Sequence, residues 1–399
     1  MTRLEQLDKQ IARLRRRAVR LNAISQKYWN ARRIIFICGV LLALAFCNLA
    51  SNKTAWYIAA LVMIVFSVVT VYHNRVRDSL TRNSLLIEIK QVHIARIHLD
   101  WGRIPPADPA SSPVAGHPFE TDLDITGERS LLRLLDCAVT REGSDRLKSW
   151  LSNAWLDAEL IKHRQALVRE LKAHYIFRDK LQLLSAVARL YTGHRGGPSR
   201  WDSNILVDWL AREEHKASLL PTVIYLSILS ALNIICIVLA TLHLIPPIWP
   251  ITFVVYGGGM ILNRQRIATA WEELQGLEKA LTHFRVVFGY LESRSYKSTP
   301  GLARICAPFI AEGKQPSQEV KRLGRLAAAL GVRTNPVLPF LVHLVMPWDF
   351  IFTYRLEFVK KEIADLLPRW LNAWHELEAL NSLANFAYLN PHYEFPELL

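Results

Sequence analysis

Residues 217–263 have the sequence ASLLPTVIYLSILSALNIICIVLATLHLIPPIWPITFVVYGGGMILN. It contains no Asp, Glu, Lys or Arg, and HLIPP at 243–247 interrupts it near the middle. About 20 apolar residues in a helix cross the roughly 30 Å hydrocarbon core of a bilayer, and this stretch is long enough to do so twice. The sequence therefore predicts a transmembrane helical hairpin over 217–263.

An earlier apolar region has the same layout. Residues 34–50 and 55–74 are uncharged runs, separated only by SNKT at 51–54. The first run follows 33 residues, lacks a small-residue cleavage pattern and leads at once into the second, which argues against a signal peptide. A further transmembrane hairpin is therefore predicted over 34–74.

The composition lies between those of soluble and membrane proteins. Of the 399 residues, 51% are hydrophobic and 21% charged, with a mean hydropathy of +0.12. These values exclude a simple cytosolic enzyme and a bundle made only of membrane helices. The formal net charge of +14 suits anionic lipid or nucleic acid and does not choose between them. The five cysteines form no C-x-x-C pair, which favours buried, reduced thiols.

The distribution of cations predicts the orientation in the membrane. Residues 1–33 hold ten Lys and Arg against two acids, whereas the two loops inside the hairpins hold only Lys53. Under the positive-inside rule, both termini and the soluble part face the cytoplasm. The spans contain no carboxylate and no lysine, and this favours an anchor over a transporter. Other cations flank the hairpins at Arg75, Arg77, Arg82, Lys216, Arg264 and Arg266.

The segment before the first span, 1–33, has the pattern of a basic heptad helix. Its arginines lie on the other faces. The pattern is compatible with a parallel homodimer, with a helix lying on anionic lipid, or with a cytoplasmic stub that only satisfies the positive-inside rule. The seam residues are Leu4, Leu7, Ile11, Leu14, Ala18 and Leu21.

The remaining segments predict helices and no strands, so the predicted class is all-α. Residues 75–116 form a helix followed by a proline-rich linker, and 117–216 and 264–399 form the soluble body. Amphipathic patterns cover 156–192 and 264–296, and the last helix has Pro368 as a kink or restart. The apolar stretch 335–348 is short and rich in proline, which predicts a buried or interfacial segment.

Motifs for catalysis or metal binding are absent from the sequence. Gly313-Lys314 lacks the rest of a phosphate-binding loop, and His375-Glu376 lacks the second histidine of a zinc protease. Asp122 and Asp124 are typical of turn and cap residues rather than metal ligands. The cations and aromatics of 195–201 suit either nucleic acid or a solvated loop, and the loop is the favoured interpretation. We expect no catalytic, cofactor-binding or metal-binding residue in this chain.

Two distant motifs carry a family resemblance. The first is SLLRLLDCAVTREGSDRLKSWL at 130–151, and the second is WLNAWHELEALNSLA at 370–384, with YEFPE at 393–397. Together they resemble the core and lever of the MutS family of DNA mismatch-repair ATPases, and more narrowly its bacterial membrane-anchored, MutS-like type. The first motif continues through Asp157, Ile161, Arg164, Gln165, Val168 and Leu171.

The resemblance covers 117–216 and 264–399, and it places 217–263 where the family inserts its DNA clamp. It implies a multi-pass protein of the bacterial inner membrane that relays motion for a DNA-binding ATPase domain. That domain, with its ATP and Mg, would lie C-terminal or on another chain. The helices before Lys216 and after Arg264 would pair as lever arms. The family's mismatch-reading wedge is missing. The alternative is a structural membrane scaffold that binds only proteins.

Overall fold

The computed structural model describes residues 2–49, 52–106, 117–153, 157–191, 200, 202–212, 218–265, 267–268, 277–310, 313–330 and 346–397. Across these ranges the regular structure is helical and includes no strand, which confirms the predicted all-α class. The chain divides into two units. One is Met1–Pro106 with Leu389–His392, and the other is Ala107–Tyr388 with Tyr393–Leu399.

The first unit is built from two long helices packed side by side, α1 (Arg3–Leu49) and α2 (Asn52–Ile97). Residues 3–97 contain no proline and one glycine, so neither helix is interrupted where its polarity changes. That glycine, Gly39, permits close approach, because a Cβ there would lie 2.8 Å from Val62 Cγ1. The chain leaves α2 through Leu99, whose φ of 54° is left-handed.

The boundaries predicted between 33 and 34 and between 74 and 75 separate polar from apolar sequence, but each falls inside one continuous helix. Two residues of the heptad seam of α1 are buried, since Leu7 and Ile11 are 1% and 5% exposed, and the other four are half-buried. Asn83 of α2 donates from Nδ2 to the carbonyl of Leu14 at 2.8 Å, on the same stretch of α1. α2 therefore packs along this part of α1, and a parallel homodimer through the seam stays a prediction.

The second unit contains a helical body. Its helices before the apolar stretch are α3 (Leu131–Leu135), α4 (Arg141–Ser152), α5 (Ala158–Ala173), α6 (Tyr175–Tyr191) and α7 (Asn204–Ala211). Its helices after that stretch are α10 (Leu277–Glu292), α11 (Pro300–Ile305), α12 (Ala307–Ile310), α13 (Pro316–Leu330), α14 (Trp348–Ile363) and α15 (Leu366–Leu389).

Some predicted helices are divided in the structure. The single helix expected over 156–192 breaks at His174, whose ψ of 56° is not helical. The last predicted helix is two helices, α14 and α15, with a turn at 364–365. Pro368 lies in the first turn of α15, where a missing N–H costs nothing, so it restarts the helix as predicted. Most of the segment 335–348 lies outside the described residues.

The core of the body forms around α15. Every residue from Leu377 to Ser382 is buried, so this helix is enclosed on all sides. Trp374 meets the ring of Phe284 edge-on with centroids 5.4 Å apart, and Phe288 lies 6.3 Å from the same tryptophan. Large aromatic side chains that pack edge to face contribute both buried area and favourable ring contacts. The body is thus held by an aromatic cluster between α10 and α15.

The apolar stretch forms a second helix pair, α8 (Leu220–Thr241) and α9 (Trp249–Leu262). The break between them begins at His243, with a left-handed φ of 58°, and continues through Pro246 and Pro247 as predicted. α8 and the part of α2 from Ala59 to Ile97 are long and apolar enough to cross a membrane, and α9 is a shorter apolar helix.

Candidate functional site

The apolar helices expose a large hydrophobic surface. Within the most apolar window of each candidate span, only 6% is buried in α2 and 28% in α8. Ile228 of α8 is 62% exposed and Val254 of α9 is 72% exposed. Soluble monomers rarely present contiguous apolar surface on this scale, so the surface marks contact with a membrane or a partner.

Polar groups between α8 and α9 are satisfied by each other. Thr252 donates from its hydroxyl to Asn233 Oδ1, and Asn233 is 2% exposed. Such a bond joins two helices without leaving a polar group to face hydrocarbon. Gly259 lies against α8, where an added Cβ would be 3.0 Å from Leu226 Cδ2. Gly259 therefore permits close contact between the two helices at this position, whereas a Cβ at Gly257 or Gly258 would meet no atom within 4 Å.

The pair is attached to the body through α14. Phe350, 1% exposed, belongs to one buried cluster with Leu226 of α8, Tyr256 of α9 and Ile267. Leu226 is in the second turn of α8, and Tyr256 lies about two turns before the end of α9. The body therefore contacts the helix pair at the end where α8 begins and α9 ends.

A buried polar network joins the two halves of the body. Glu378 of α15 accepts hydrogen bonds from the Thr140 hydroxyl at 2.5 Å, the Thr140 N–H at 3.1 Å and the Val139 N–H at 3.4 Å. Thr140 is also the N-cap of α4 and accepts from the Gly143 N–H at 3.0 Å. A Cβ at Gly143 would lie 2.6 Å from Glu378 Oε2, so this position requires glycine.

The network continues along both elements. Ser382 accepts from the Cys137 N–H at 2.9 Å and donates to the Glu378 carbonyl at 3.0 Å. Asn385 donates to the Cys137 sulfur at 3.4 Å. Asp136 accepts from the Ala138 N–H at 2.9 Å and pairs with Arg200. Segment 136–144 is therefore fixed to α15 over about two helical turns, from Glu378 to Asn385.

A second group of contacts lies beside the first. Glu142 Oε1 accepts from the N–H groups of Ser203 at 2.9 Å and Asn204 at 3.0 Å, so it caps α7 from another helix. The Ser203 hydroxyl lies 2.8 Å from His375 Nε2 on α15. α4, α7 and α15 are thereby linked at one point.

These residues have the types of a Ser-His-acid triad but not its geometry. In a triad the acid bonds the ring nitrogen that does not face the serine. Here Glu142 Oε2 is 3.9 Å from the same Nε2 that faces Ser203. Ser203 is also 0% exposed, so a substrate cannot reach it. The arrangement is suited to fixing helices together and not to nucleophilic catalysis.

Burial shifts the titration of this group. The pKa of Glu142 is raised to about 7, chiefly by desolvation and then by the neighbouring Asp202. Desolvation lowers the pKa of His375 to about 4, with a smaller contribution from Arg146. Burial also raises the pKa of Glu378, against the hydrogen bonds from Thr140 and Val139. At neutral pH His375 is therefore the neutral imidazole.

The structure places some of the polar residues that the sequence singled out. Asp124 has a left-handed φ of 47°, in keeping with the predicted turn. Lys314 forms an ion pair with Glu362 at 3.2 Å. The predicted loop 195–201 lies outside the described residues except for Arg200. Within the described part of the chain, no group of three His, Cys, Asp or Glu could hold a metal ion.

The motifs of the sequence do not identify Glu378, Ser203 and Glu142 as partners. One pattern could have indicated the first, because His375, Glu378, Ser382 and Asn385 form a polar stripe at helical spacing on the last helix. A polar stripe at helical spacing on a buried helix needs hydrogen-bond partners from elsewhere in the fold. The pattern does not reveal which segment supplies them.

No protein-family model, no curated protein and no solved structure matches this chain. Its fold and contacts define it as an all-helical protein with two helices long and apolar enough to cross a membrane. Its body is held together by a buried polar network.

Proposed function

We propose that this chain is the membrane-anchored core and lever of a MutS-like protein, which relays motion between a DNA-binding ATPase domain and the bilayer. The ATPase domain, which would supply ATP and Mg chemistry, lies C-terminal or on another chain in this proposal. The observation that carries it is the packing of the two resembling segments into one body attached to α8 and α9.

The contacts between those segments support this proposal. Glu378 lies in the second motif, and its partner Thr140 lies in the first. Gln165 donates from Nε2 to the Pro396 carbonyl at 2.9 Å, and the Arg169 guanidinium lies 4.5 Å from the centre of the Phe395 ring. Motifs far apart in sequence thus meet at two places.

The predicted lever arms differ from the structure in one respect. The sequence predicts an outgoing arm that leads to Trp209 and Lys216, whereas α7 is only 8 residues long and ends at Ala211. Its C-cap, Arg212, has an extended ψ of 124°, so the helix does not continue into α8. In the revised relay, the contact of Phe350 in α14 with α8 and α9 transmits motion to the membrane.

The proposed location is the bacterial inner membrane, with four spans and both termini in the cytoplasm. The cations of 1–33 support this orientation. In intact cells, a membrane-impermeant thiol reagent should label cysteines introduced at Asn52 or Pro246 and should not label one at Ser199. External labelling at Ser199 would contradict the topology. A homodimer also belongs to this proposal.

Binding of duplex DNA tests the relay. The detergent-solubilised full chain would be titrated with duplex DNA at several salt concentrations. Phosphate contacts predict a log–log slope of about −0.9 for each phosphate neutralised. A steep slope supports the relay, whereas no binding at low salt leaves the scaffold as the better account.

The scaffold alternative has its own supporting observation. Glu378 is fully enclosed and accepts three hydrogen bonds, so the joint between 136–144 and α15 has the character of a fixed connection. A body of this kind would serve as a rigid platform for other proteins. The two accounts differ in whether amide exchange in α14 changes when DNA is added, since only the relay predicts a change.

A further inference from the structure

A cationic groove lies between α13 and α14. It encloses about 550 Å³ and combines three guanidinium groups with three aromatic rings. Phe358 on its rim is 51% exposed. The residues that characterise the groove are Arg322, Arg325, Phe352, Tyr354, Arg355 and Phe358.

The three arginines are not equivalent. Arg322 is paired with Glu362 at 2.7 Å and with Glu319 at 3.6 Å, so its charge is matched within the protein. Arg325 and Arg355 are exposed, and neither has a carboxylate partner among the described residues. Arg355 instead lies 5.9 Å from the centre of the Phe352 ring. The groove therefore has two cationic groups available for an anion.

The position of α14 connects this groove to the proposed membrane surface. Phe350 packs at the end of α8 and α9, and Arg355 follows it by little more than one helical turn, about 7 Å along the axis. The headgroup layer on each side of a bilayer is roughly 5–7 Å thick. Arg264, which follows α9, adds a cation at the same end.

We propose that this groove binds the phosphate of an anionic phospholipid of the cytoplasmic leaflet. Guanidinium groups match phosphate oxygens in a bidentate geometry. Aromatic rings such as the exposed Phe358 and the half-buried Tyr354 are favoured at the level of the glycerol and headgroups. The inference rests on the membrane insertion of α8 and α9 in the proposed function, and it adds a specific lipid site to that insertion.

The test uses the full chain reconstituted into phosphatidylcholine vesicles, with spin-labelled phosphatidylglycerol as the probe. The R325Q/R355Q variant should bind the labelled lipid about 10- to 30-fold more weakly than the wild type. The R304Q/R369Q variant removes two exposed arginines outside the groove and is the matched control for charge, so it should keep wild-type affinity.

Each outcome has a defined meaning. Equal affinity in the two variants would overturn the lipid site, as would displacement of the label by inorganic phosphate or a single-stranded oligonucleotide, because either would assign the groove to a soluble anion. Resistance to alkaline carbonate extraction is measured in parallel. A chain that is extracted contradicts membrane insertion, and with it both proposals, whereas a retained chain without lipid preference contradicts only the lipid site.

Discussion

The two helix pairs differ in what holds them. α1 and α2 are 47 and 46 residues long. Each has a polar half and an apolar half, and the two helices pack on each other. α8 and α9 are 22 and 14 residues long, and a side chain of the body, Phe350, packs between their ends. The helices of the first pair thus pack mainly on each other, whereas the second pair packs against the body. In the proposed function, the first pair would serve as an anchor and the second pair would couple the body to the membrane.

The strongest test of the body concerns Glu378. Replacing it with alanine leaves the Thr140 hydroxyl and two N–H groups without their buried acceptor, so we expect a loss of about 3–5 kcal/mol in the free energy of unfolding. The measurement is denaturant unfolding in detergent, followed by tryptophan fluorescence. Glu376→Ala, on the same helix, should cost no more than about 0.5 kcal/mol. Equal effects in the two variants would show that the network does not hold the body together.

The coupling of the second pair depends on Phe350. Phe350→Ala should cost about 3–4 kcal/mol, because it opens a cavity between α14, α8 and α9. It should also increase amide exchange in the first turns of α8. Phe358→Ala makes the same chemical change at a position that is 51% exposed, and it should cost less than about 1 kcal/mol. If Phe350→Ala behaved like Phe358→Ala, the contact with α14 would not hold α8 and α9 to the body.

The Glu142 and His375 pair predicts an unusual pH dependence. The folded chain holds extra protons at Glu142 between pH 4.5 and about 7, so this group destabilises the fold as pH rises through that window. The folded chain holds fewer protons at His375 between about pH 4 and 6.5, so stability from this group is lost as pH falls. The two groups change the free energy of unfolding in opposite directions, so the stability of the wild type should vary little between pH 4.5 and 6.5.

Single variants separate the contributions of Glu142 and His375 to the pH dependence of stability. Glu142→Gln keeps an acceptor for the cap of α7 and removes the titration of Glu142, so that of this pair only His375 still titrates. We therefore expect the free energy of unfolding to fall by about 2–3 kcal/mol as the pH is lowered from 6.5 to 4. In His375→Gln, of this pair only Glu142 titrates, so the free energy of unfolding should fall as the pH is raised from 4.5 to 7. Unfolding measured in a pH series checks both. A flat profile for Glu142→Gln would exclude His375 as a buried neutral group.

The smallest expected effect is in the first pair. Asn83→Ala removes the hydrogen bond to the Leu14 carbonyl and should cost about 1 kcal/mol. Asn74→Ala, an exposed position on the same helix, is the control and should have almost no effect. Thermal melts of the reconstituted chain measure both. A cost in Asn83→Ala as large as that of Phe350→Ala would remove the contrast between the two pairs.

Local patterns in the sequence were sufficient for part of this fold. The uncharged stretch 217–263 and its prolines predicted α8, the break and α9, because apolar length and proline act locally. The polarity change near Arg33 predicted a domain boundary but did not reveal that one helix runs through it, where no proline interrupts α1. The seam of α1 also gave no indication that α2 packs along it.

The contacts of the candidate site were beyond sequence reasoning. Glu378 meets Thr140 across 238 residues, and His375 meets Ser203 across 172. A hydrogen bond between distant residues depends on how whole helices pack, and no spacing within either segment encodes the partner. The resemblance brought the two motifs together as family features, but it did not indicate that Glu142 caps α7.

The proposed function requires that α8 faces lipid while the body faces water. Ile228 of α8 and Ile176 of α6 are 62% and 66% exposed, so their exposed fractions are nearly equal, but one is expected to contact lipid and the other water. A spin label would be placed at each position, as I228C or I176C in a chain without its native cysteines, and the protein would be reconstituted in vesicles. We expect the label at 228 to be relaxed by oxygen and not by a water-soluble nickel chelate, and the label at 176 to show the reverse. Equal relaxation of both labels by the nickel chelate would show that α8 does not face lipid.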